Sequence, residues 1–128
     1  MFNVRTVALA ATLAVTGAAA TAAPNASAKG GPSGVRVTGV CTKSATAKLK
    51  LSRDNGRVEV EFEVDQNRNG VAWKVTLRRN GVLVTSTTAT THAPSGSFTV
   101  RRVISGAQGT FVAVATRSGQ RCTAHAAI

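Results

Sequence analysis

The feature that most constrains the fold is a two-residue alternation of apolar and polar side chains on both sides of Asn55-Gly56. That period is the period of a β-strand, and Asn-Gly between two alternating runs is the strongest short signal for a β-hairpin. A two-residue turn here sets one register, which places these residues opposite each other: Leu51 and Val60, Leu49 and Phe62, Ala47 and Val64, Lys50 and Glu61, Lys48 and Glu63. Apolar side chains then meet on one face and opposite charges on the other, so the sequence predicts an antiparallel pair over 45–53 and 57–65.

A second hairpin is predicted around Asn80-Gly81, where apolar side chains alternate over 71–79 and 82–88 is rich in Val and Thr. The turn would pair the following residues: Leu77 with Val84, and Thr76 with Thr85. Further strands are predicted over 35–42, 98–104, 110–117 and 121–127, with a polar loop over Ala89–Ser97. No helix is predicted after Ala28.

Short strands with a turn signal about every ten residues are typical of a β-sandwich or a β-barrel. A two-stranded hairpin is not stable alone in water, so its apolar face must pack on a second sheet. We therefore predict an all-β domain, a two-sheet antiparallel sandwich of seven or eight short strands. Its predicted core consists of Leu49, Leu51, Val60, Phe62, Trp73, Val75, Leu77, Val84, Phe98, Val100, Phe111 and Ala124.

The N-terminal residues have the three parts of a secretory signal peptide, which we expect to be helical. Arg5 supplies a positive charge, an uncharged run rich in Ala, Val, Leu and Thr follows over 6–23, and Ala26-Ser27-Ala28 matches a small-x-small cleavage site. An uncleaved membrane anchor is the alternative, although a run of about 18 residues is at the lower limit for spanning a bilayer. The sequence is thus divided into a signal peptide (1–28), a flexible leader (29–34) and one domain (35–128).

The two cysteines, Cys41 and Cys122, both follow the predicted signal peptide. An even number of cysteines in an exported chain indicates a disulfide, because the compartment outside the cytoplasm is oxidising. We predict that the bridge joins the first strand of the domain to the last. A reactive free thiol is the alternative.

Two stretches resemble small secreted immunoglobulin-like and fibronectin-III-like domains, which are common in actinobacteria and in many cases have no known function. They are Ala72-Trp73-Lys74-Val75-Thr76-Leu77 with the following Arg79-Asn80-Gly81, and Ala93-Pro94-Ser95-Gly96-Ser97-Phe98. The resemblance covers about Val35 to Ile128, and it implies an immunoglobulin-like fold and a secreted location but no active site. The cysteine spacing differs from that of antibody domains, in which a tryptophan follows the first cysteine by about a dozen residues.

Few residues are suited to catalysis or metal binding. All five acidic residues fall within 54–65, where alternating glutamates opposite lysines predict a solvated ladder and not a glycosidase pair. The segment 65–70 offers oxygen ligands for Ca²⁺ but a single carboxylate, so a turn is predicted there. A Ser-His-Asp site made of His92, Ser95 and Asp54 has no supporting local signature. We therefore expect no enzymatic activity, no metal site and no cofactor.

The charge is the one functional signal in the sequence. The chain has 16 Lys and Arg against 5 Asp and Glu, a net charge of +11, and every charged residue after Asp65 is basic. Such a surface attracts polyanions through forces that salt weakens. The predicted anion-binding patch consists of Arg78, Arg79, Arg101 and Arg102. Neighbouring residues on a strand point to opposite faces, so one arginine of each adjacent pair would face inward unless a strand ends or bulges there. The alternative interpretation is a basic surface that serves only solubility.

These observations predict a secreted or cell-wall-associated binding or structural module, which is not an enzyme. Its expected partners are an anionic wall polymer, an anionic lipid headgroup or a protein. Sequence-specific nucleic-acid binding is not expected, because the few aromatic residues alternate with polar ones as core positions do. The alternative function is that of a secreted inhibitor or effector, which would present the loop over 89–97 to an enzyme.

Overall fold

The computed structural model describes residues 29–31 and 34–128, and these residues form strands and turns without a helix. The predicted signal peptide (1–28) lies outside the described residues. The strands, in chain order, are β1 (Lys29–Gly31), β2 (Gly34–Thr38), β3 (Val40–Cys41), β4 (Thr46–Asp54), β5 (Arg57–Asp65), β6 (Ala72–Arg79), β7 (Val82–Thr90), β8 (Ser97–Ser105), β9 (Thr110–Arg117) and β10 (Gln120–Ala127). Within this described part, no helix is long and apolar enough to cross a membrane.

The strands form two five-stranded antiparallel sheets that pack face to face, which confirms the predicted all-β sandwich. The first sheet has the order β1-β2-β4-β5-β8, and the second has the order β3-β10-β9-β6-β7. Apolar side chains from both sheets meet in one buried cluster. Each sheet therefore has an inner face that supplies the core and an outer face that meets the solvent.

The register predicted for the first hairpin is confirmed for every pair. Leu49 lies opposite Phe62, and Lys50 lies opposite Glu61. Asn55 and Gly56 have φ angles of 49° and 76°, as both central residues of a type I′ turn require. The turn chemistry and the alternating pattern thus fix the same pairing.

The second hairpin keeps its predicted register next to the turn, where Arg78 lies opposite Leu83, and departs from it by one residue beyond that point. The ladder is irregular between Leu77 and Arg78, so Leu77 lies opposite Thr85 instead of Val84, and Thr76 lies opposite Ser86 instead of Thr85. A β-bulge of this kind adds one residue to one strand only, and here the extra residue is on β7. Val84 is therefore 37% exposed, and its placement in the core was wrong. All other predicted core residues are buried.

The segment predicted as one strand over 35–42 is divided between the two sheets at Gly39. The part before it is β2 in the first sheet, and the part after it is β3 in the second sheet. A Cβ added at Gly39 would lie 2.9 Å from the carbonyl oxygen of Thr123 and 3.0 Å from the Cβ of Ala47. The chain can cross between the sheets at this point because glycine has no side chain.

The leader predicted as flexible over 29–34 takes part in the first sheet. Lys29–Gly31 pairs with β2 as a short edge strand, with Lys29 opposite Arg36 and Gly31 opposite Gly34. Glycines give no alternating pattern that could signal a strand, but pairing at a sheet edge needs only backbone groups. The sandwich therefore begins before residue 35.

Cys41 and Cys122 form a disulfide, as predicted. They are directly opposite each other on β3 and β10, with a Cα–Cα distance of 4.0 Å. The bridge thus joins two neighbouring strands of the second sheet, and not one sheet to the other. Cys122 has no exposed surface, so its half of the bridge belongs to the core.

Candidate functional site

The acidic residues are confined to one side of the molecule. All five lie on the β4–β5 hairpin of the first sheet, at Asp54, Glu59, Glu61, Glu63 and Asp65. The second sheet is built from β3, β6, β7, β9 and β10, and none of these strands contains an acidic residue. The two outer faces therefore differ in charge although they belong to one small domain.

The outer face of the first sheet carries an ion-paired ladder. Arg101 on β8 contacts two glutamates of β5: its Nη2 lies 2.8 Å from Oε2 of Glu59, and its Nε lies 3.7 Å from Oε1 of Glu61. Lys50 Nζ lies 4.0 Å from Oε2 of Glu61 on the other side. A shallow groove of about 650 Å³ follows this face, and its polar lining is Arg36, Thr38, Lys48, Lys50, Glu61, Glu63 and Thr99. Cations and carboxylates are mixed along the groove, so its field is largely balanced.

The contact with Arg101 also affects the titration of Glu59. The hydrogen bond from the Arg101 guanidinium holds the pKa of Glu59 below its ordinary value of 4.5, against a smaller opposing effect of desolvation. The same pair raises the pKa of Arg101. A carboxyl whose pKa is lowered by folding stabilises the folded state above its ordinary pKa, and this contribution is lost as the pH falls through the lowered pKa.

We expect Glu59→Gln to lower the stability slightly at neutral pH and to have no effect in acid, where Glu59 is protonated in both states. The pair is largely solvent-accessible, with the Arg101 side chain 61% exposed, so the effect is small. Urea unfolding of both proteins at neutral pH and at a pH below the lowered pKa of Glu59 measures the difference. Glu63→Gln is the matched control, because Glu63 makes no ion pair with any other residue that the structure describes. An equal loss at both pH values would contradict the assignment.

The outer face of the second sheet carries Lys74 and Arg78 of β6 and Arg121 of β10, which we call the basic face. Lys74 and Arg121 both flank Thr116 of β9 in the register. Two strand spacings separate their Cα atoms by about 10 Å, and the four-residue step from Lys74 to Arg78 spans about 13 Å. None of the three cations pairs with a carboxylate of any residue that the structure describes.

Uncharged side chains fill the space between these cations. Val112 and Val114 of β9 and Thr76 of β6 lie on this face in adjacent register positions. His125 lies opposite Val112 on the next strand. The basic face is thus an open strip across three paired strands, with separated positive charges on a Val- and Thr-rich surface.

The four arginines predicted as one patch are not brought together. Arg78 and Arg79 are neighbours on β6 in the second sheet, and Arg101 and Arg102 are neighbours on β8 in the first sheet. Alternation turns each pair to opposite faces of its sheet. Arg78 alone lies on the basic face, Arg101 is ion-paired with glutamates, and Arg102 donates from Nη1 to the carbonyl oxygen of Arg101 at 2.7 Å.

Arg79 has a structural position instead. Its guanidinium donates to the carbonyl oxygens of Ser105 and Gln108 and lies over the ring of Phe111, 5.6 Å from the ring centroid. The side chain therefore holds the connection between β8 and β9 against the sandwich. Both of its terminal nitrogens already donate to backbone carbonyl oxygens, so Arg79 contributes little to an external anion site.

The other candidate chemistry is separated by the fold. The β5–β8 register places Asp65 beside Ser97, at the end that carries His92 and Ser95, whereas Asp54 lies at the far end of the β4–β5 hairpin. Asp65 accepts a hydrogen bond from the backbone N–H of Asn67 at 2.8 Å, which is the turn predicted for that segment. Within 34–128, no three His, Cys, Asp or Glu side chains converge as metal ligands do.

The loop predicted over 89–97 is shorter than expected, because β7 continues to Thr90 and β8 begins at Ser97. The intervening turn is tied to the body through Thr91, whose buried hydroxyl accepts from the N–H of Val71 at 2.9 Å and donates to the carbonyl oxygen of Arg68 at 2.5 Å. The backbone N–H of His92 donates to Ser97 across the turn at 3.0 Å. Within the segment, Thr90 and residues 92–95 are exposed, whereas Thr91 and Gly96 are buried.

Comparisons with protein-family models, curated proteins and solved structures found no match to this chain. Function is therefore inferred from the surface itself. The sequence contained one signal for Lys74 and Arg121: each alternates with core residues of its strand and so faces outward. Their proximity depends on the order β10-β9-β6, which the sequence does not reveal.

Proposed function

We propose that this protein is a non-enzymatic module that binds an extended anionic polymer, such as a phosphodiester polymer of a cell wall, through its basic face. The observation that carries the proposal is the confinement of all acidic side chains to the other sheet. The basic face presents three cations with no carboxylate nearby, so its positive field is not cancelled locally.

The shape of the basic face supports a polymer as the ligand. The surface is an open strip, whereas small molecules are usually held in concave pockets that bury most of their area. Cations about 10 to 13 Å apart along and across strands can each meet a different repeat of a flexible phosphodiester chain. Affinity then comes from several weak contacts in parallel.

The aromatic residues support an electrostatic mode of binding without base or sugar stacking. Those in the described part of the chain are Phe62, Trp73, Phe98 and Phe111, and all four are buried. Stacking on nucleobases needs exposed aromatic side chains. The proposal therefore excludes sequence-specific recognition of nucleic acid.

We expect Lys74→Gln/Arg78→Gln/Arg121→Gln to weaken binding to poly(glycerol phosphate) about a hundredfold, since each cation near an anionic surface contributes about 1 kcal/mol. The matched control is Arg36→Gln/Lys48→Gln/Lys50→Gln, which removes the same charge from the outer face of the first sheet. Binding is measured by calorimetry, with dextran as a neutral polymer and anionic phospholipid vesicles as a separate arm. Equal losses for both variants would show that only net charge matters, and would overturn the proposal.

Salt gives a second measure of the same contact. With three cations engaged, the logarithm of Kd is expected to rise with the logarithm of salt concentration with a slope of about 2 to 3. The basic-face variant loses most of this slope, whereas the control retains it. Binding of the unchanged protein that ignores salt would contradict an electrostatic mode.

The proposed place of action is outside the cytoplasm. The disulfide between Cys41 and Cys122 is consistent with an extracellular location, because such bonds persist in oxidising compartments. The N-terminal pattern of Arg5, an apolar run and Ala26-Ser27-Ala28 supports export. Anionic wall polymers and anionic lipid headgroups are the polyanions that an exported protein meets first.

A second candidate function is a protein inhibitor that presents the turn between β7 and β8. The observation that favours it is the bracing of this turn by Thr91 and by the His92–Ser97 hydrogen bond, since a rigid loop binds a protein at a lower entropic cost. The two functions use different surfaces. Substitutions at His92 and Ser95 would then abolish inhibition, and the basic-face variant would not.

A further inference from the structure

The described strands leave four sheet edges in the sandwich, and three of them are protected against pairing. β1 is three residues long and β3 is two residues long, so neither offers much backbone to a partner. β8 carries the exposed side chains of Arg101 and Arg102 in its middle. Short edge strands and charged edge residues are the usual devices that prevent edge-to-edge association.

The fourth edge, β7, has neither protection. It is nine residues long and contains no charged residue and no proline. Among the described strands it pairs only with β6, so its other side has free backbone donors and acceptors. Val82, Leu83 and Val84 are 68%, 48% and 37% exposed, and the six residues from Thr85 to Thr90 continue the ladder without irregularity.

We propose that β7 pairs with β7 of a second copy of this chain in an antiparallel, two-fold symmetric dimer centred on Thr87. Opposing residues of an antiparallel pair point to the same face of the sheet. The two-fold axis must therefore lie midway between two copies of the same residue, and not between two successive residues. Centring on Thr87 uses the whole regular stretch after the bulge. The opposing pairs are then Val84 with Thr90, Thr85 with Ala89, Ser86 with Thr88, and Thr87 with Thr87.

The composition of β7 favours a second copy as the occupant. β-Branched and hydroxyl side chains pair well across antiparallel strands, and this register places Thr87 against Thr87, Ser86 against Thr88 and Val84 against Thr90. A net charge of +11 per chain opposes association, but β7 carries none of it. Within the second sheet, the nearest cations, on β6, lie three strand spacings or about 14 Å from those of the partner, which exceeds the screening length of about 8 Å at physiological salt.

The dimer would join the basic faces of both copies into one surface, and the use of that surface rests on the proposed function. A two-fold axis perpendicular to the sheet keeps both outer faces on the same side. The two second sheets would form one ten-stranded sheet with six cations and no acidic side chain across it. A long polymer could then contact both copies at once, which strengthens binding without any new type of contact.

The interface is small, since one strand pair buries less area than a stable standard-size interface. We therefore expect a reversible dimer whose fraction rises with protein concentration. The dimer fraction also rises when the salt concentration is raised from about 0.05 M to about 0.5 M, because salt screens the repulsion between the two positively charged copies. Sedimentation velocity on the oxidised full domain measures the mass directly. A monomer at all concentrations and both salt levels would overturn the proposal.

Two charge variants test the register. Ser86→Lys/Thr88→Lys places lysine opposite lysine at two positions of the interface and is expected to abolish the dimer. Ser86→Lys/Thr88→Glu places opposite charges at the same positions and is expected to retain or tighten it. Both sites are exposed, so the fold is expected to persist, as circular dichroism verifies. Thr99→Lys/Val103→Lys adds two lysines to the β8 edge and serves as the control, with an unchanged dimer fraction.

The outcomes separate the dimer from the polymer-binding function. If the first variant remains a dimer, or if the control is equally disruptive, pairing through β7 is wrong whatever the polymer measurements show. If the domain dimerises as described but does not bind poly(glycerol phosphate), the proposed function is wrong and the dimer stands. Loss of the dimer together with a weakened affinity for long polymer, but not for short polymer, would support both.

Discussion

Removing the disulfide by Cys41→Ala/Cys122→Ala is expected to lower the free energy of unfolding by about 4 kcal/mol. The bridge spans a sequence separation of 81 residues, and a cross-link of this span restricts the unfolded chain by about 4.5 kcal/mol in the chain-entropy model. Domains of about 100 residues have a stability of only about 5 to 15 kcal/mol. The variant is therefore expected to be partly unfolded at physiological temperature, which urea denaturation monitored by circular dichroism would show.

The structure adds a local reason for a large effect. β3 is only two residues long, Val40–Cys41, and its pairing with β10 includes the bridged position itself. Without the bridge, this short strand has little to hold it, and the backbone of β10 becomes an open edge. Reduction of the unchanged protein is the control, because it breaks the bond without altering the sequence. A loss below about 1 kcal/mol in both experiments would mean that the sheets alone hold the two strands.

The parts of the fold that follow from the sequence are those set by neighbouring residues. The first hairpin needed only a two-residue turn and an alternation of period two, and both features lie within 45–65. The same alternation identified Trp73, Phe111 and the other core positions, because an inward side chain on a sandwich strand is almost always apolar. The pairing of Cys41 with Cys122 followed from the number of cysteines and the compartment.

The parts that the sequence did not reveal depend on contacts between distant segments. The bulge that exposes Val84 adds one residue to β7, and no turn residue or proline marks it. The sheet switch at Gly39 is decided by Thr123 and Ala47, which approach it from two other strands. Strand order is of the same kind, since the alternation of a strand gives its faces but not its neighbours.

The candidate site shows the same limit. Composition indicated a basic surface. The four arginines of the predicted patch do not lie together, because adjacent residues on a strand point to opposite faces and the two pairs are on different sheets. Arg79 instead donates hydrogen bonds to carbonyl oxygens of the β8–β9 connection. Lys74 and Arg121 became neighbours because β9 lies between their strands. The net charge thus suggested the kind of ligand that we propose, but it did not indicate which residues would hold it.

The turn between β7 and β8 is the place where a single methyl group is expected to have the largest effect. Gly96 is buried and has a φ of 70°. A Cβ at this position would overlap the backbone nitrogen of Arg68 and lie 2.8 Å from the carbonyl carbon of Asn67. These are backbone atoms of the β5–β6 connection, which cannot rotate away as a flexible side chain can. The N–H of Gln66 also donates to the carbonyl oxygen of Gly96 at 3.0 Å, so the two segments are tied at the point of contact.

Gly96→Ala is therefore expected to lower the free energy of unfolding by about 4 kcal/mol, through backbone strain at positive φ and through displacement of the neighbouring connection. Gly56→Ala separates these two causes, because Gly56 has a similar φ of 76° but no atom within 4 Å of an added Cβ. In that control only the backbone strain at positive φ acts, so its free energy of unfolding is expected to fall by about 1 to 2 kcal/mol. Urea unfolding of both variants gives the difference. Equal losses would show that the β5–β6 connection yields to the methyl group, and the turn would then be less firmly braced than its contacts with Arg68 and Gln66 indicate.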